Sequence, residues 1–475
     1  MSIRVRNTLG RRLELFEPVN PPFVSMYVCG PTPYDYTHIG HARTFTVFDA
    51  IKRYLSLRGF SVFHVQNITD IDDKIINRAR EEGRGWEEVV EEYTKDYMDM
   101  LEALGIRIDL HPRVTAHIRD IIEFIQGLVD KGYAYVAESG SVYFEVDKFP
   151  DYGMLSGNLS REAWRQEEEF LREKRSPYDF ALWKASKPEE PSWDSPWGRG
   201  RPGWHIECSV MSSRYLGSSI DIHGGGVDLV FPHHENERAQ SESYFNIRPW
   251  VKYWLHASYL TIGGEKMSKS LGNIIPFKDA RSKWGSGPLR LWLLSAHYRG
   301  NLDYSEQGLE QSLRLYERLR DVASRVTRRL ERGDPTHYLD ARGLKILKSL
   351  KAIHSSWHEA LSDDFNFGLA MRWVWEFTNT YYRDLEASES QALLLYAYRV
   401  LYEFNRVYAV LDDIIEAPKA LGIEGDLLEL IVQVRSELRS RRVYDLSDAI
   451  RDRLSKLGIK LIDYKDRTEW VREGR

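Results

Sequence analysis

An α/β fold on a parallel sheet, followed by a helical bundle and a small C-terminal domain, is what this 475-residue sequence predicts. Three observations point to it. Phe23 to Val28 is a short apolar run ended by Gly30-Pro31-Thr32-Pro33, a helical pattern follows, and Phe60 to Val65 is a second apolar run. That spacing is about what a parallel crossover needs. A second pair of runs, Ser219 to His223 and Trp250 to His256, flanks a helix that begins near His233. From about Ser305 onward, turn signals thin out and helical periodicity dominates.

In chain order, the first helix takes its apolar face from Ala42, Phe45, Phe48, Ile51 and Leu55, with Thr37 as its predicted N-cap and Gly59 at its C-terminal end. His38 and His41, three apart at the helix mouth, project toward whatever the free N–H groups of the first turn hold. In a Rossmann-like sheet this is the arrangement of an anion site, although two histidines at a helix start are more often capping or core residues. Asn67 to Lys74 leaves the C-terminal end of the second strand, the edge where open parallel sheets bind ligands.

Helical patterns run over 72–81, 86–104 and 116–131, and 133–146 reads as a hairpin around Ser139-Gly140. The stretch 147–203 is irregular and rich in Pro, Gly and Trp, so about 116–203 is expected as an insertion into the sheet domain. The glycine-bounded loop 263–272 is too polar for core. Its Lys266 and Lys269 place two ammonium groups where they could stabilise charge developing on a bound triphosphate, and a solvated turn is the other reading.

Helices are then expected over 305–332, 341–362, 367–387 and 391–415, and a last unit from about Gly425 gathers Arg435, Arg439, Arg441, Arg442, Arg451 and Arg453. The expected domains are a catalytic domain over 1–300, a bundle over 301–420 and a small domain over 421–475.

The composition is that of a globular chain, 42% hydrophobic and 29% charged. No apolar run approaches the roughly 18 residues that span a bilayer, and Met1 to Phe16 is too charged for a signal peptide, so a cytoplasmic location is expected. A net charge of −5 gives no global attraction to nucleic acid. Two cysteines, Cys29 and Cys208, are too few for a disulfide framework, which leaves metal binding, catalysis or simple burial.

His38-Ile39-Gly40-His41 and Lys266-Met267-Ser268-Lys269-Ser270 resemble the two signature motifs of class I aminoacyl-tRNA synthetases. Residues 27–32 and 67–74, with Gly203-Trp204-His205-Ile206-Glu207-Cys208-Ser209 and Phe231-Pro232-His233-His234-Glu235-Asn236-Glu237, resemble the cysteinyl-tRNA synthetase family in particular. The resemblance covers nearly the whole chain and is strongest from 23 to 300.

It implies activation of cysteine by ATP, accompanied by Mg²⁺, and transfer to tRNA(Cys), with no obligate protein partner. It also implies one Zn²⁺ per chain on Cys29, Cys208, His233 and Glu237; His233 and Glu237 are four apart, which suits one helical face. ATP would be bound by His38, Gly40, His41 and Lys269, with His38, His41, Lys266 and Lys269 as the catalytic set. Gly30, Thr69, Trp204 and Asp228 would form the amino-acid pocket.

The bundle resembles the part of the family that contacts the tRNA stem, through Arg314, Arg318, Arg325, Arg328 and Arg332, although the interleaved Glu317, Asp321 and Glu331 equally suit a solvated face. Ser447 to Leu454 is close to the family's anticodon-reading pattern. In the bundle, Asp363-Asp364-Phe365-Asn366 matches the family, but Phe367-Gly368 follows where Thr-Pro is usual. Two rivals are a related ligase that passes cysteine to a small amine, and a non-catalytic RNA-binding paralogue.

Overall fold

The structure is a computed structural model that describes residues 2–164, 172–267, 272–332, 339–388, 390–415, 431–432, 434–439, 441, 443–456, 459–463 and 468–472. It comprises two compact units, Met1–Ile415 and Glu416–Arg475.

The first unit opens with an antiparallel hairpin, β1 (Arg4–Asn7) and β2 (Arg12–Leu15). The sheet strand β3 (Phe23–Val28), helix α1 (Ile39–Leu57) and strand β4 (Ser61–Gln66) form the expected crossover. Helices α2 (Asp73–Glu82), α3 (Trp86–Ala103) and α4 (Ile118–Asp130) follow. The predicted hairpin is β5 (Ala134–Val136) with β6 (Val142–Phe144).

The stretch expected to be irregular contains two further strands, β7 (Phe180–Ala185) and β8 (Gly200–Pro202), which extend that hairpin into a four-stranded antiparallel sheet. No alternation marks β7, because it is buried along nearly its whole length.

Helix α5 (Trp204–Leu216) leads back to the parallel sheet, completed by β9 (Ile220–Gly226), α6 (Glu235–Phe245) and β10 (Val251–Ala257). The strand order is β10-β9-β3-β4, all parallel. From β3 the chain crosses to β4 on one side, whereas β9 lies on the other side, so the C-terminal ends of β3 and β9 mark the switch point where such sheets bind ligands.

Strands β11 (Leu260–Ile262), β12 (Glu265–Lys266) and β13 (Leu302–Tyr304) make a small sheet, with α7 (Phe277–Trp284) and α8 (Ser286–Leu293) between the last two. The bundle is α9 (Glu306–Arg332), α10 (Ala341–Ser362), α11 (Phe367–Thr380) and α12 (Gln391–Tyr408).

One continuous core runs from the back of the sheet into this bundle, because α12 packs on α1 as well as on α9 and α10. The core is tied by Arg290 of α8, which donates to Asp49 of α1 and to the carbonyls of Leu104 and Tyr408. Gly368 fits its place: a Cβ there would lie 2.8 Å from the Ser295 carbonyl oxygen.

Arg318 and Arg325 of α9 have partners within the bundle, and the Arg332 side chain lies outside the described residues. Arg318 reaches Asn379 at 2.9 Å, and Arg325 reaches Glu386 at 2.6 Å. Among the described residues no helix is long and apolar enough to cross a membrane.

In the second unit, α13 (Tyr444–Lys456) carries the 447–454 segment and precedes an antiparallel hairpin, β14 (Ile459–Asp463) and β15 (Thr468–Arg472). Arg435 is fully buried, unlike the exposed Arg439, Arg451 and Arg453.

Candidate active site and metal centre

A cleft of about 330 Å³ lies over the switch point between β3 and β9. Chain direction explains what lines it: Cys29 and Gly30 follow β3, Asn67 and Thr69 follow β4, Gly226 ends β9 and Asp228 follows it. The mouth of α1 and strand β12 border it through His38, Gly40, His41 and Lys266, and α5 contributes Trp204 and Cys208.

The helix mouth differs from expectation in one respect. His38, not Thr37, is the N-cap of α1, and its Nδ1 accepts from the N–H groups of Gly40 (3.1 Å) and His41 (3.3 Å) in a reciprocal capping box. Ile39 and Ala42 donate to carbonyls as well, so the first-turn N–H groups expected to be free for an anion are engaged. Thr37 is diverted to Asp96, to which its N and Oγ1 donate at 2.7 and 2.6 Å. The positive end of the helix dipole stays at the cleft, beside the two imidazoles, which stack 3.7 Å apart.

Gly40 lets the His38 ring fold back: a Cβ there would sit 2.9 Å from that ring and 3.0 Å from Met267 Cε. Lys266 Nζ lies 4.0 Å from the centre of the Tyr259 ring, a cation–π contact. Lys269, with Ser268 and Ser270, lies outside the described residues.

At the floor of the cleft, Cys29, Cys208, His233 and Glu237 are all buried, with one ligand atom from each within 4.8 Å of the others. The sulfurs are 3.7 Å apart, too far for a disulfide. Two thiolates on one tetrahedral zinc at about 2.3 Å are separated by roughly 3.8 Å, so the spacing suits that ion. Glu237 Oε1 is 2.9 Å from His233 Nε2 and 3.4 Å from Cys29 Sγ. The donor set, two sulfurs with one imidazole and one carboxylate, fits zinc better than the all-oxygen shells of Mg²⁺ or Ca²⁺.

Cys208 is in the second turn of α5. His233 lies in a wide turn, Val230–His234, that runs into α6 and leaves it one turn before Glu237.

The electrostatics of the four groups are mixed. Burial raises Cys208, but hydrogen bonds from Cys29 and His233 outweigh this and draw its thiol down to about 6. Burial pushes the Cys29 thiol up. Glu237 stays ionised because burial is outweighed by His223 and His233.

Around the cluster lies a set of imidazoles that sequence reasoning missed. His205 Nδ1 is 3.1 Å from His233 Nδ1, fixing the ring so that Nε2 turns to Glu237. His234 Nε2 is 3.2 Å from Cys29 Sγ, and its Nδ1 is 2.7 Å from His256, which is bonded to Thr8. His223, His234, Cys29 and Glu237 are therefore a second converging set. Cys208 and His233 line the cleft whereas His223 and His234 do not, so the two sets differ in how much of each borders the cleft. His234 adjoins His233 in sequence, yet nothing short of the helix geometry tells which of the two faces the cleft.

The predicted pocket residues come together. Gly30 N donates to Asn67 Oδ1 at 2.8 Å, Asn67 Nδ2 to Thr69 Oγ1 at 3.0 Å, and Thr69 Oγ1 to Glu207 at 3.1 Å. Trp204 stacks on His233, and Asp228 faces the cleft from the turn after β9. Asn67 and Glu207, named only within motifs, belong to this chain of hydrogen bonds. Burial pushes the Glu207 carboxyl well up, and the nearby Cys208 and Asp72 add to this.

The fold is that of the class I synthetases. The chain is similar to a Mycobacterium tuberculosis methionyl-tRNA synthetase in complex with methionyl-adenylate, with a TM-score of 0.62 at 17% identity over 86% of this chain and 94% of that one. It is likewise similar to the LeuRS of an Agrobacterium radiobacter LeuRS–tRNA complex, with a TM-score of 0.64 at 12% identity over 85% of this chain and 86% of that one. The profile for the tRNA synthetases class I (C) catalytic domain matches residues 15–314, and the chain belongs to that family. Cysteine--tRNA ligase of Aeropyrum pernix is 69% identical over 99% of this chain and 100% of its own. That of Pyrococcus horikoshii is 46% identical over 99% of each chain.

Proposed function

We propose that this chain ligates cysteine to tRNA(Cys). The cysteine carboxylate attacks the α-phosphorus of Mg²⁺-bound ATP, the bond to the β-phosphate breaks, and cysteinyl adenylate and pyrophosphate form. A hydroxyl at the 3′ end of tRNA(Cys) then attacks the activated carbonyl, and AMP leaves. The observation that carries this reading is that the Cys29, Cys208, His233 and Glu237 cluster opens onto the same cleft as the capped mouth of α1 and Lys266.

Cys29, Cys208, His233 and Glu237 would hold one zinc. Bound there, zinc favours a substrate thiolate over a serine hydroxyl, because it lowers the pKa of a coordinated thiol and binds sulfur well. The chain's own residues do the rest. Trp204 and His205 hold His233 in place, and Gly30 lets the backbone after β3 pass close to Asn67. Thr69 and Asp228 position the amino acid. His38 and His41, beside Gly40 at the positive end of α1, bind the phosphates, and Lys266 and Lys269 stabilise the charge that grows as pyrophosphate departs.

Residues 301–420 are assigned to the tRNA stem and 421–475 to the anticodon. A small-amine ligase would leave both without a role.

ATP–pyrophosphate exchange with each amino acid, followed by charging of a total tRNA pool, tests the reading. Exchange dependent on cysteine, and cysteine esterified to one tRNA species, are expected. Exchange without charging would point to the small-amine ligase, and absence of both to the silent RNA-binding paralogue.

A further inference from the structure

Among the described residues, one set of ligand atoms away from the cleft converges as tightly as the set within it. His354 and His358 stand one turn apart on α10, and Glu403 faces them from α12. Glu403 Oε2 is 2.9 Å from His354 Nε2 and 2.8 Å from His358 Nε2, and the two nitrogens are 3.2 Å apart.

Hydrogen bonds alone satisfy this triangle poorly. If both nitrogens carry protons, the two N–H groups crowd one carboxylate oxygen. If one lacks its proton, its lone pair faces an anionic oxygen at hydrogen-bond distance. A cation between the three atoms accepts a lone pair from each. Two imidazole nitrogens on one tetrahedral zinc, at about 2.0–2.1 Å, are separated by roughly 3.3 Å, close to the spacing present here.

The surroundings hold the three groups ready. Tyr396 Oη is 3.1 Å from His354 Nδ1, and Arg399 Nε donates to Glu403 Oε1 at 3.1 Å, which leaves Oε2 for the triangle. Tyr54 of α1 donates to the His358 carbonyl at 3.1 Å. Burial raises the Glu403 carboxyl, but the two imidazoles and Arg399 outweigh this and keep it ionised.

His354 and His358 open onto a cavity of about 380 Å³, room for an ion to enter and for water to complete its shell. Arg58 and Lys351 line the same cavity and disfavour a cation held by charge alone. That selects an ion bound through imidazole over Mg²⁺ or Ca²⁺.

We propose that His354, His358 and Glu403 form a second site, for a first-row divalent transition ion such as Zn²⁺, which ties α10 to α12 next to α1. The alternative cluster around Cys29 shares two ligands with the cleft site, so it adds no further ion.

Loading the purified full-length protein with Co²⁺ tests this by absorption. Two equivalents are expected. One should show the intense thiolate-to-cobalt band of the cleft site, and the other only weak ligand-field absorption. In the double variant His354→Gln, His358→Gln the second equivalent should vanish, while the thiolate band and cysteine-dependent exchange stay at wild-type levels.

X-ray absorption of the second equivalent in the wild-type protein needs no variant and should give a nitrogen and oxygen shell with imidazole scattering. A wild-type protein that binds only the thiolate equivalent would overturn the proposal. So would a second equivalent that survives the double substitution, or one whose shell lacks imidazole.

Discussion

The indole of Trp204 stacks on the imidazole of His233 with ring centres 4.3 Å apart and planes inclined by 28°. The contact braces one face of a metal-ligand candidate with a side chain that itself lines the cleft. Trp204→Ala is predicted to lower kcat/KM for cysteine in pyrophosphate exchange by about 10- to 100-fold, mainly through KM, with the KM for ATP little changed. An unchanged KM for cysteine would show that the stack serves only packing.

Two glycines of the cleft should respond differently to alanine. A Cβ on Gly30 would lie 1.7 Å from the Asn67 carbonyl oxygen, so backbone must move. Gly30→Ala should destabilise the protein by about 1–3 kcal/mol or more and weaken cysteine binding. In Gly40→Ala the first atoms met are the His38 ring and Met267 Cε, which can shift. That variant should melt near the wild-type temperature yet lose exchange activity. Thermal melts read beside exchange rates check both; equal melting of Gly30→Ala and wild type would contradict the first.

Asp49 and Arg290, both fully buried, join α1 to α8. Burial alone would raise the Asp49 carboxyl, but Arg290, Arg53 and the Arg107 N–H outweigh it and hold it below its ordinary value. A depressed folded pKa stabilises fully above the unfolded value of about 3.9 and is lost as pH falls through the folded value. Asp49→Asn should therefore cost about 3–5 kcal/mol near neutrality by stranding Arg290, with the difference from wild type shrinking only below about pH 4. Urea unfolding across pH measures it; a gap that closes already at pH 6 would assign the effect to another group.

The sheet and bundle were legible in the sequence because their cues are local. Strands β3, β4, β9 and β10 are apolar runs bounded by turns, and the bundle helices have unbroken periodicity. Strand β7 was not, since Trp183 and its buried neighbours pair with β6 across a long gap in sequence. The N-cap was misread because Thr37 is the better capping residue by chemistry. Asp96, almost sixty positions away, takes its hydroxyl and leaves the role to His38. Motif resemblance brought Cys29, Cys208, His233 and Glu237 together where spacing could not, and it gave no sign of His205, His223, His234 or His256 as their supports.

Substitution of the signature lysines should act on rate more than on binding. Lys269→Ala is predicted to slow adenylate formation by about 10²- to 10³-fold in single-turnover experiments, with cysteine affinity nearly unchanged. Lys266→Ala should act in the same direction. A defect confined to cysteine affinity would contradict the role.

The most direct measurement is the ratio of kcat/KM for cysteine to that for serine in ATP–pyrophosphate exchange, taken alongside hydrolysis of seryl-tRNA supplied to the same enzyme. A ratio of about 10⁴ or more, with no hydrolysis, is predicted, because a site built for thiolate leaves a hydroxyl poorly ligated. Cys208→Ser, in folded and metal-loaded protein, should lose cysteine activation disproportionately and so reduce that ratio. Efficient activation of serine followed by rapid clearance of seryl-tRNA would contradict the claim that the Cys29, Cys208, His233 and Glu237 centre makes the selection.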